Sequence, residues 1–367
     1  MRRTNPGINP YDSRGVSLRS SRRSSRSPSP VRRPRERIPT VRRPLAVRGL
    51  VPTLLATSLL ALPLAGTLPG PFAHAAGATD ASSAPDRAYW TPQRMRAAEP
   101  AAAAGRSPAP RRAAAEPVPP SHPFDGVPQV GTFFWTDENN TGRFCSGTVV
   151  RSPHHDLVIT AAHCLRGADP KRHLSFVPQY HDGLKPHGVF PIDRVYIDQR
   201  YYDLGTNAGA RWDYAVVRLS VREDGTEVED VTGGYDLLVN SGYDHRRVRL
   251  IGYPGNDDAT HPKPLDCTSS THRYTSTEPA VPGDFLEIAC AGYIGGTSGG
   301  PFLVPRLGGF ALIGVIGGYH TGGDFPDLSY SSYLTLDTLR LYRHAVRGDT
   351  PAEPRPLRDE APAAPRQ

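Results

Sequence analysis

Cysteine is scarce in this chain, with four in 367 residues, and no two of them lie within the few residues of each other that a metal knuckle needs. That excludes a zinc ribbon or finger, whose ligands come in closely spaced pairs. Methionine is scarcer still. Met1 and Met95 are the only two, and we expect natural translation to begin at a non-methionine codon nearer Val31, Val41 or Val47. Acidic residues are sparse at the front: residues 1–121 hold 20 Lys and Arg against 6 Asp and Glu, leaving 23 against 30 in the rest, a net of −7 there. The whole-chain charge of +7 therefore belongs to the leading third, and the remainder offers no basic surface for a nucleic-acid partner. Helical periodicity is also missing between residues 130 and 333. Apolar residues there fall in short runs between turn formers, which argues against an α/β architecture with crossover helices.

The leading third reads as an export region. An arginine- and serine-rich tract over residues 2–48 precedes an uncharged apolar run at 50–68, broken by Pro52 and Pro63, and then Ala73-His74-Ala75, a small-x-small cleavage site. We read residues 1–75 as an Arg-rich n-region and signal peptide rather than an anchor, since the prolines and the alanine-rich exit suit cleavage. Arg42-Arg43 offers a twin-arginine pair, although Pro44 and Ala46 fit that signal poorly. Residues 76–124 are rich in Ala, Pro and Arg with little to bury, and a disordered segment is expected. The tail at 349–367 has the same character.

Three segments carry chemistry. Gly295-Gly296-Thr297-Ser298-Gly299-Gly300-Pro301 sets one serine in a glycine frame, Thr160-Ala161-Ala162-His163-Cys164 offers a histidine, and Asp213 heads the apolar run Tyr214-Ala215-Val216-Val217. Alone, each reads as a turn or a structural residue. Together they supply a nucleophile, a general base and an orienting acid in the chain order His, Asp, Ser. A serine hydroxyl needs a base, which His163 provides, and Asp213 would fix the imidazole tautomer. Gly296 can bring its N–H close to a developing oxyanion beside that of Ser298. Asp198 and Asp203 compete for the acid role, but they sit in a Tyr-rich, loop-like segment and head no apolar run.

Short strands are expected at 130–135, 146–150, 157–161, 214–219, 248–252, 285–289, 301–304 and 310–316, with a closing helix over 333–346 from apolar residues at Leu336, Leu339, Tyr342, Ala345 and Val346. This pattern points to an all-β barrel architecture.

The three segments and their order resemble the chymotrypsin-like (trypsin-like) serine peptidases, with the secreted bacterial members, including the glutamyl endopeptidase branch, the nearest in pattern. The resemblance implies two six-stranded antiparallel β-barrels packed together, with a C-terminal helix, over residues 125–348. It implies a secreted serine endopeptidase that acts through an acyl-enzyme on protein or peptide substrates. Such an enzyme would be a monomer, with no cofactor, no metal, no nucleic acid and no stable membrane association once the signal is removed. It also implies a Cys145–Cys164 disulfide behind the histidine, which leaves Cys267 with Cys290, and such bonds place the protein in an oxidising compartment. Tyr89-Trp90-Thr91-Pro92 resembles a feature of propeptides in secreted relatives and would cover the site before processing; an incidental apolar cluster in a linker is the alternative.

Two departures bear on mechanism. Thr297 stands where trypsin-like zymogens carry an aspartate, and no Ile-Val-Gly-Gly start occurs near Gly126-Val127, so activation by an inserted N-terminus is not expected. Thr297 would instead tie its hydroxyl to local backbone. For specificity, Gly292 replaces the aspartate that selects Arg or Lys, and Gly292, Tyr293, Ile316, Gly317, Gly318 and His320 are the expected pocket residues. His320 is a candidate for recognising an acidic residue, behind an apolar or small-residue preference. A non-catalytic secreted binding module on the same fold is the alternative function. A nucleic-acid binder rests on the arginine tract alone. The Asp257-Asp258 pair is read as solvated rather than calcium-binding.

Overall fold

The computed structural model describes residues 88–101, 117–167, 172–255 and 263–354. The signal-peptide reading, Asp257, Asp258 and most of the expected tail lie outside them. At the front come a short helix α1 (Pro92–Arg96) and two short strands, β1 (Glu99–Pro100) and β2 (His122–Pro123). The first barrel follows as β3 (Val130–Thr136), β4 (Gly142–Val149), β5 (Leu157–Thr160), helix α2 (Ala162–Leu165), β6 (Ser175–Pro178), β7 (Phe190–Ile197), helix α3 (Gln199–Ala208) and β8 (Ala215–Leu219). Its order is β4-β3-β6-β7-β8-β5, and β5 returns to β4 through Thr148–Ile159 and Val149–Val158, closing six antiparallel strands.

Helix α4 (Val228–Thr232) and strand β9 (Asp236–Leu237) lead to the second barrel: β10 (His245–Gly252), β11 (Leu265–Thr275), β12 (Asp284–Ala289), β13 (Pro301–Arg306), β14 (Gly309–Val315) and β15 (Leu328–Ser332). These run in the order β15-β12-β11-β10-β13-β14. The outer strands meet through Gly317 N donating to Tyr330 O and Val315 N donating to Ser331 Oγ, each at 2.9 Å, rather than through a continuous ladder. Helix α5 (Leu336–Arg347) closes the chain, capped by Thr335 and ended by Gly348 with φ 67°. The fold is thus the expected all-β double barrel with a terminal helix.

Strand composition follows from what each face buries. Phe133 and Trp135 of β3, Val158 of β5 and Val217 of β8 fill the first barrel, while Phe302 and Val304 of β13 with Ile313 of β14 fill the second. The alternate residues Val130, Phe134, Leu157, Ile159, Val216, Leu303 and Leu312 pack together between the barrels. Strands buried on both faces read as unbroken apolar runs, because the period of 2 has no polar phase.

Several expectations are corrected. Residues 88–101 and 117–124 are ordered rather than disordered, because Trp90, Met95 and Ala98 are buried against the first barrel and β2 pairs with β11. Asp198 caps helix α3, accepting from Arg200 N, so Asp198 and Asp203 lie on a helical segment and not a loop. The strand expected at 157–161 ends at Thr160, and His163 follows in the single turn of α2.

Candidate active site

Strand β5 ends at Thr160, and the chain turns at once into α2, which lifts His163 to the edge of the first barrel. Asp213 ends a 3-10 turn just before β8 and is only 1 % exposed. Its carboxylate accepts three hydrogen bonds, from His163 N to Oδ1 and from His163 Nδ1 and Gly318 N to Oδ2, each 2.8 Å long. Three donors satisfy a buried carboxylate that would otherwise be costly. With Nδ1 engaged as a donor, the imidazole presents Nε2 as an acceptor. Ala162, Ile197, Tyr201 and Ala215 form a buried backing to the pair. The Tyr201 hydroxyl is held neutral, its pKa raised by burial first and by the Asp213 charge second.

The second barrel meets this carboxylate closely at Gly317. A Cβ on Gly317 would stand 3.0 Å from Asp213 Oδ2 and 3.2 Å from Ala161 Cβ.

The loop before β13 holds Ser298, and the two barrels brace it from both sides. Ser146 of β4 donates from its N to Ser298 O at 2.8 Å and from its Oγ to Gly296 O at 3.0 Å, while that Oγ accepts from Tyr253 N at 2.9 Å. Gly299 N donates to Ile316 O at 2.8 Å. Thr297 is buried, and its hydroxyl donates to Ile294 O at 2.6 Å, so it ties the loop to its own backbone. Gly296 has φ +91°, and a Cβ there would meet Phe144 Cε2 at 2.5 Å. Gly299, at φ +81°, is as confined, since a Cβ would stand 2.1 Å from Thr160 Oγ1. Among the described residues no backbone carbonyl accepts from the N–H of Gly296 or of Ser298.

Both disulfides are formed, Cys145–Cys164 with Cα atoms 6.2 Å apart and Cys267–Cys290 with 6.1 Å. The first joins β4 to α2 and so fixes the histidine turn beside the strand that braces the serine loop. Among the described residues no group of three His, Cys, Asp or Glu side chains is placed to hold a metal ion.

The expected pocket residues separate. Gly317 and Gly318 lie at the Asp213 carboxylate. Ile316 and Tyr293 are buried in the second barrel's core, the Tyr293 hydroxyl donating to Leu250 O at 2.6 Å, so neither faces a substrate. Gly292 is exposed near Ser121, where a Cβ would lie 3.1 Å from its Oγ. His320 has both ring nitrogens engaged, with Asp324 at 2.5 Å and Glu278 at 3.0 Å, and stacks on Tyr319. Burial disfavours its charged form, but the hydrogen bonds and charges of Asp324 and Glu278 outweigh this and raise its pKa above 6.5. An acidic substrate side chain would meet those two carboxylates, which argues against His320 as its receptor. Sequence reasoning missed Phe144, Ser146, Thr160 and Tyr253, whose roles depend on contacts with distant segments and leave no local signal.

A family model described as a trypsin-like peptidase domain matches residues 145–311. Among solved structures, the protease Anisep from Arthrobacter nicotinovorans is similar, at 21 % identity with a TM-score of 0.52, covering 62 % of this chain and 99 % of that one. A thermostable serine protease from an extremophilic microorganism is similar at 22 % identity and a TM-score of 0.48, covering 61 % of this chain and 99 % of the other. A Glu endopeptidase is similar at 16 % identity and a TM-score of 0.45, with 64 % and 98 % covered. Comparison with curated protein sequences finds no match.

Proposed function

From a chain that carries a trypsin-like peptidase domain on a chymotrypsin-like double barrel, we propose a secreted serine endopeptidase that cleaves polypeptides through an acyl-enzyme. Ser298 Oγ attacks the scissile carbonyl, His163 Nε2 takes its proton and then returns it to the leaving amine, and Asp213 stabilises the imidazolium without itself being protonated. The N–H groups of Gly296 and Ser298 receive the oxyanion. Water then attacks the acyl ester, with His163 again as base, and frees the carboxylic acid product. The observation that carries this reading is the buried Asp213 carboxylate, which grips His163 at both its backbone N and its Nδ1.

The two disulfides support an oxidising, extracellular location. The chain needs no cofactor for this chemistry and acts as a monomer on protein or peptide substrates. The test is p-nitrophenyl acetate hydrolysis by the purified chain. The expected result is a nitrophenol burst approaching one equivalent, followed by slow turnover, both abolished in Ser298→Ala. Equal hydrolysis by wild type and Ser298→Ala would move the assignment to a binding module.

A further inference from the structure

Residues 316–318 are bonded both to the serine loop and to Asp213. Ile316 exchanges backbone hydrogen bonds with the residues that follow Ser298: Gly299 N donates to Ile316 O and Ile316 N donates to Gly300 O, each at 2.8 Å. Two residues on, Gly318 N donates to Asp213 Oδ2 at 2.8 Å. Gly318 is closely packed there, since a Cβ would stand 2.8 Å from Ser332 N and 3.0 Å from Phe285 Cδ1. Whatever moves Gly318 therefore moves a donor of the Asp213 carboxylate.

The chain next makes the 3-10 turn Tyr319–Gly322, in which His320 (φ 47°) and Thr321 (φ 55°) are both left-handed. Two consecutive non-glycine residues in that region are unfavourable and persist only where their surroundings hold them. Thr321 N donates to Gly318 O at 2.9 Å, closing the turn on the glycine that serves Asp213. The turn is fastened from outside through His320. Its Nδ1 faces Asp324 Oδ2 at 2.5 Å, and its Nε2 faces Glu278 Oε2, from the connection between β11 and β12, at 3.0 Å. Glu278 also accepts from the Tyr319 hydroxyl, and Tyr319 packs with Ala210, Val281, Phe285 and Tyr330.

A neutral imidazole has one N–H and one lone pair, so only the imidazolium can donate to both carboxylates. Burial opposes that form, and Asp324 and Glu278 outweigh it. Strands β11 and β15 bring the phenols of Tyr274 and Tyr330 against Tyr319. Helix α3 and the 3-10 turn Ala210–Trp212 also border this turn. Their charged residues are engaged elsewhere: Arg200 with Asp198 and Asp337, Asp203 with Gln199, and Arg211 over the Trp212 ring.

We propose that His320, as an imidazolium, is a positioning residue for the triad: by bridging Glu278 and Asp324 it locks the strained turn 319–322 and so holds the Gly318 N–H on the Asp213 carboxylate. This rests on the serine-peptidase reading. Deprotonation turns a ring lone pair toward one carboxylate, which loosens the turn and with it the support of Asp213.

The test is the rate of fluorophosphonate labelling of Ser298 in the full-length chain, at pH ~6 and pH ~9, for wild type, His320→Asn and Glu278→Gln. Asn tolerates the left-handed backbone but carries no charge. The imidazolium is complete at the lower pH and lost as pH rises through its folded value, so wild type should label about tenfold faster than His320→Asn at pH ~6 and at a similar rate at pH ~9. Glu278→Gln can offer an amide donor to the deprotonated ring nitrogen, which keeps the bridge without charge. It should match wild type at pH ~6 and label several-fold faster than wild type at pH ~9. A ratio of wild type to His320→Asn that is the same at both pH values leaves His320 a structural residue and overturns the proposal, as does the same pH dependence in wild type and Glu278→Gln. Absence of labelling in every form overturns the peptidase reading, and the positioning role falls with it. If His320→Asn does not fold, the comparison of wild type with Glu278→Gln alone decides.

Discussion

Asp213 carries more of the site than any other side chain, since one carboxylate answers three donors from two barrels. Replacing it with Asn keeps the shape but turns one acceptor into a donor, which cannot hold the Nδ1–H tautomer. We expect kcat for ester hydrolysis to fall on the order of 10⁴-fold in Asp213→Asn with little change in Tm; a loss below tenfold would remove the orienting role. His320 makes a different, pH-linked contribution. Its folded pKa is raised above 6.5 by Asp324 and Glu278 against the effect of burial, so the stabilisation is complete below the unfolded value and lost as pH rises through the folded one. Thermal unfolding should therefore show His320→Asn costing more stability near pH ~6 than near pH ~9. Equal costs at both would contradict the assignment. Ser298 and Asp213 stood out in sequence because Ser298 sits among glycines that the loop requires at Gly296 and Gly299, and because Asp213 heads an apolar strand. Tyr293 and Ile316 were misread as pocket residues, since an apolar side chain next to a glycine looks the same whether it turns inward or toward a substrate.

At the scale of elements, β4 links structure to function. Its Ser146 hydroxyl bridges Tyr253 N and Gly296 O in a buried position, so Ser146→Ala leaves a donor and an acceptor without a partner. That should cost ~1–3 kcal/mol in denaturant unfolding, and should lower kcat more than it raises KM because the oxyanion loop loses a brace. A variant of unchanged stability would show the bridge to be incidental. The sequence revealed β3, β4, β5, β8, β10, β12, β13 and β14, and of these β3 and β5 are buried along their whole length and read as apolar runs. Strands β6, β7, β11 and β15 were missed, the last two for the opposite reason. Leu265–Thr275 buries only Cys267 and Thr271, and Leu328–Ser332 is mostly serine; neighbouring strands order them by hydrogen bonding rather than by side-chain pattern. The Tyr89-Trp90 pair stood out in sequence, but helix α1 and strand β1 were hidden by composition, because the alanine- and proline-rich stretch after it gives no sign that Met95 is buried too.

For the whole molecule, the proposed triad draws on both barrels. His163 and Asp213 come from the first, and Ser298 and Gly318 from the second, across an interface filled by Leu157, Val216, Leu303 and Leu312. Interiors at native density transmit small shifts directly, so the packing of that interface bears on how the two barrels face each other. The negative balance of −7 beyond residue 121 keeps the folded domain distinct in charge from the basic leading region. The most direct measurement of the account is fluorophosphonate labelling of the purified chain to completion, with the labelled peptide located by mass and Ser298→Ala and His163→Ala as comparisons. The account predicts one label per chain on Ser298, absent from Ser298→Ala and strongly slowed in His163→Ala. A folded wild-type chain that takes no label, or takes it on another residue, would contradict it.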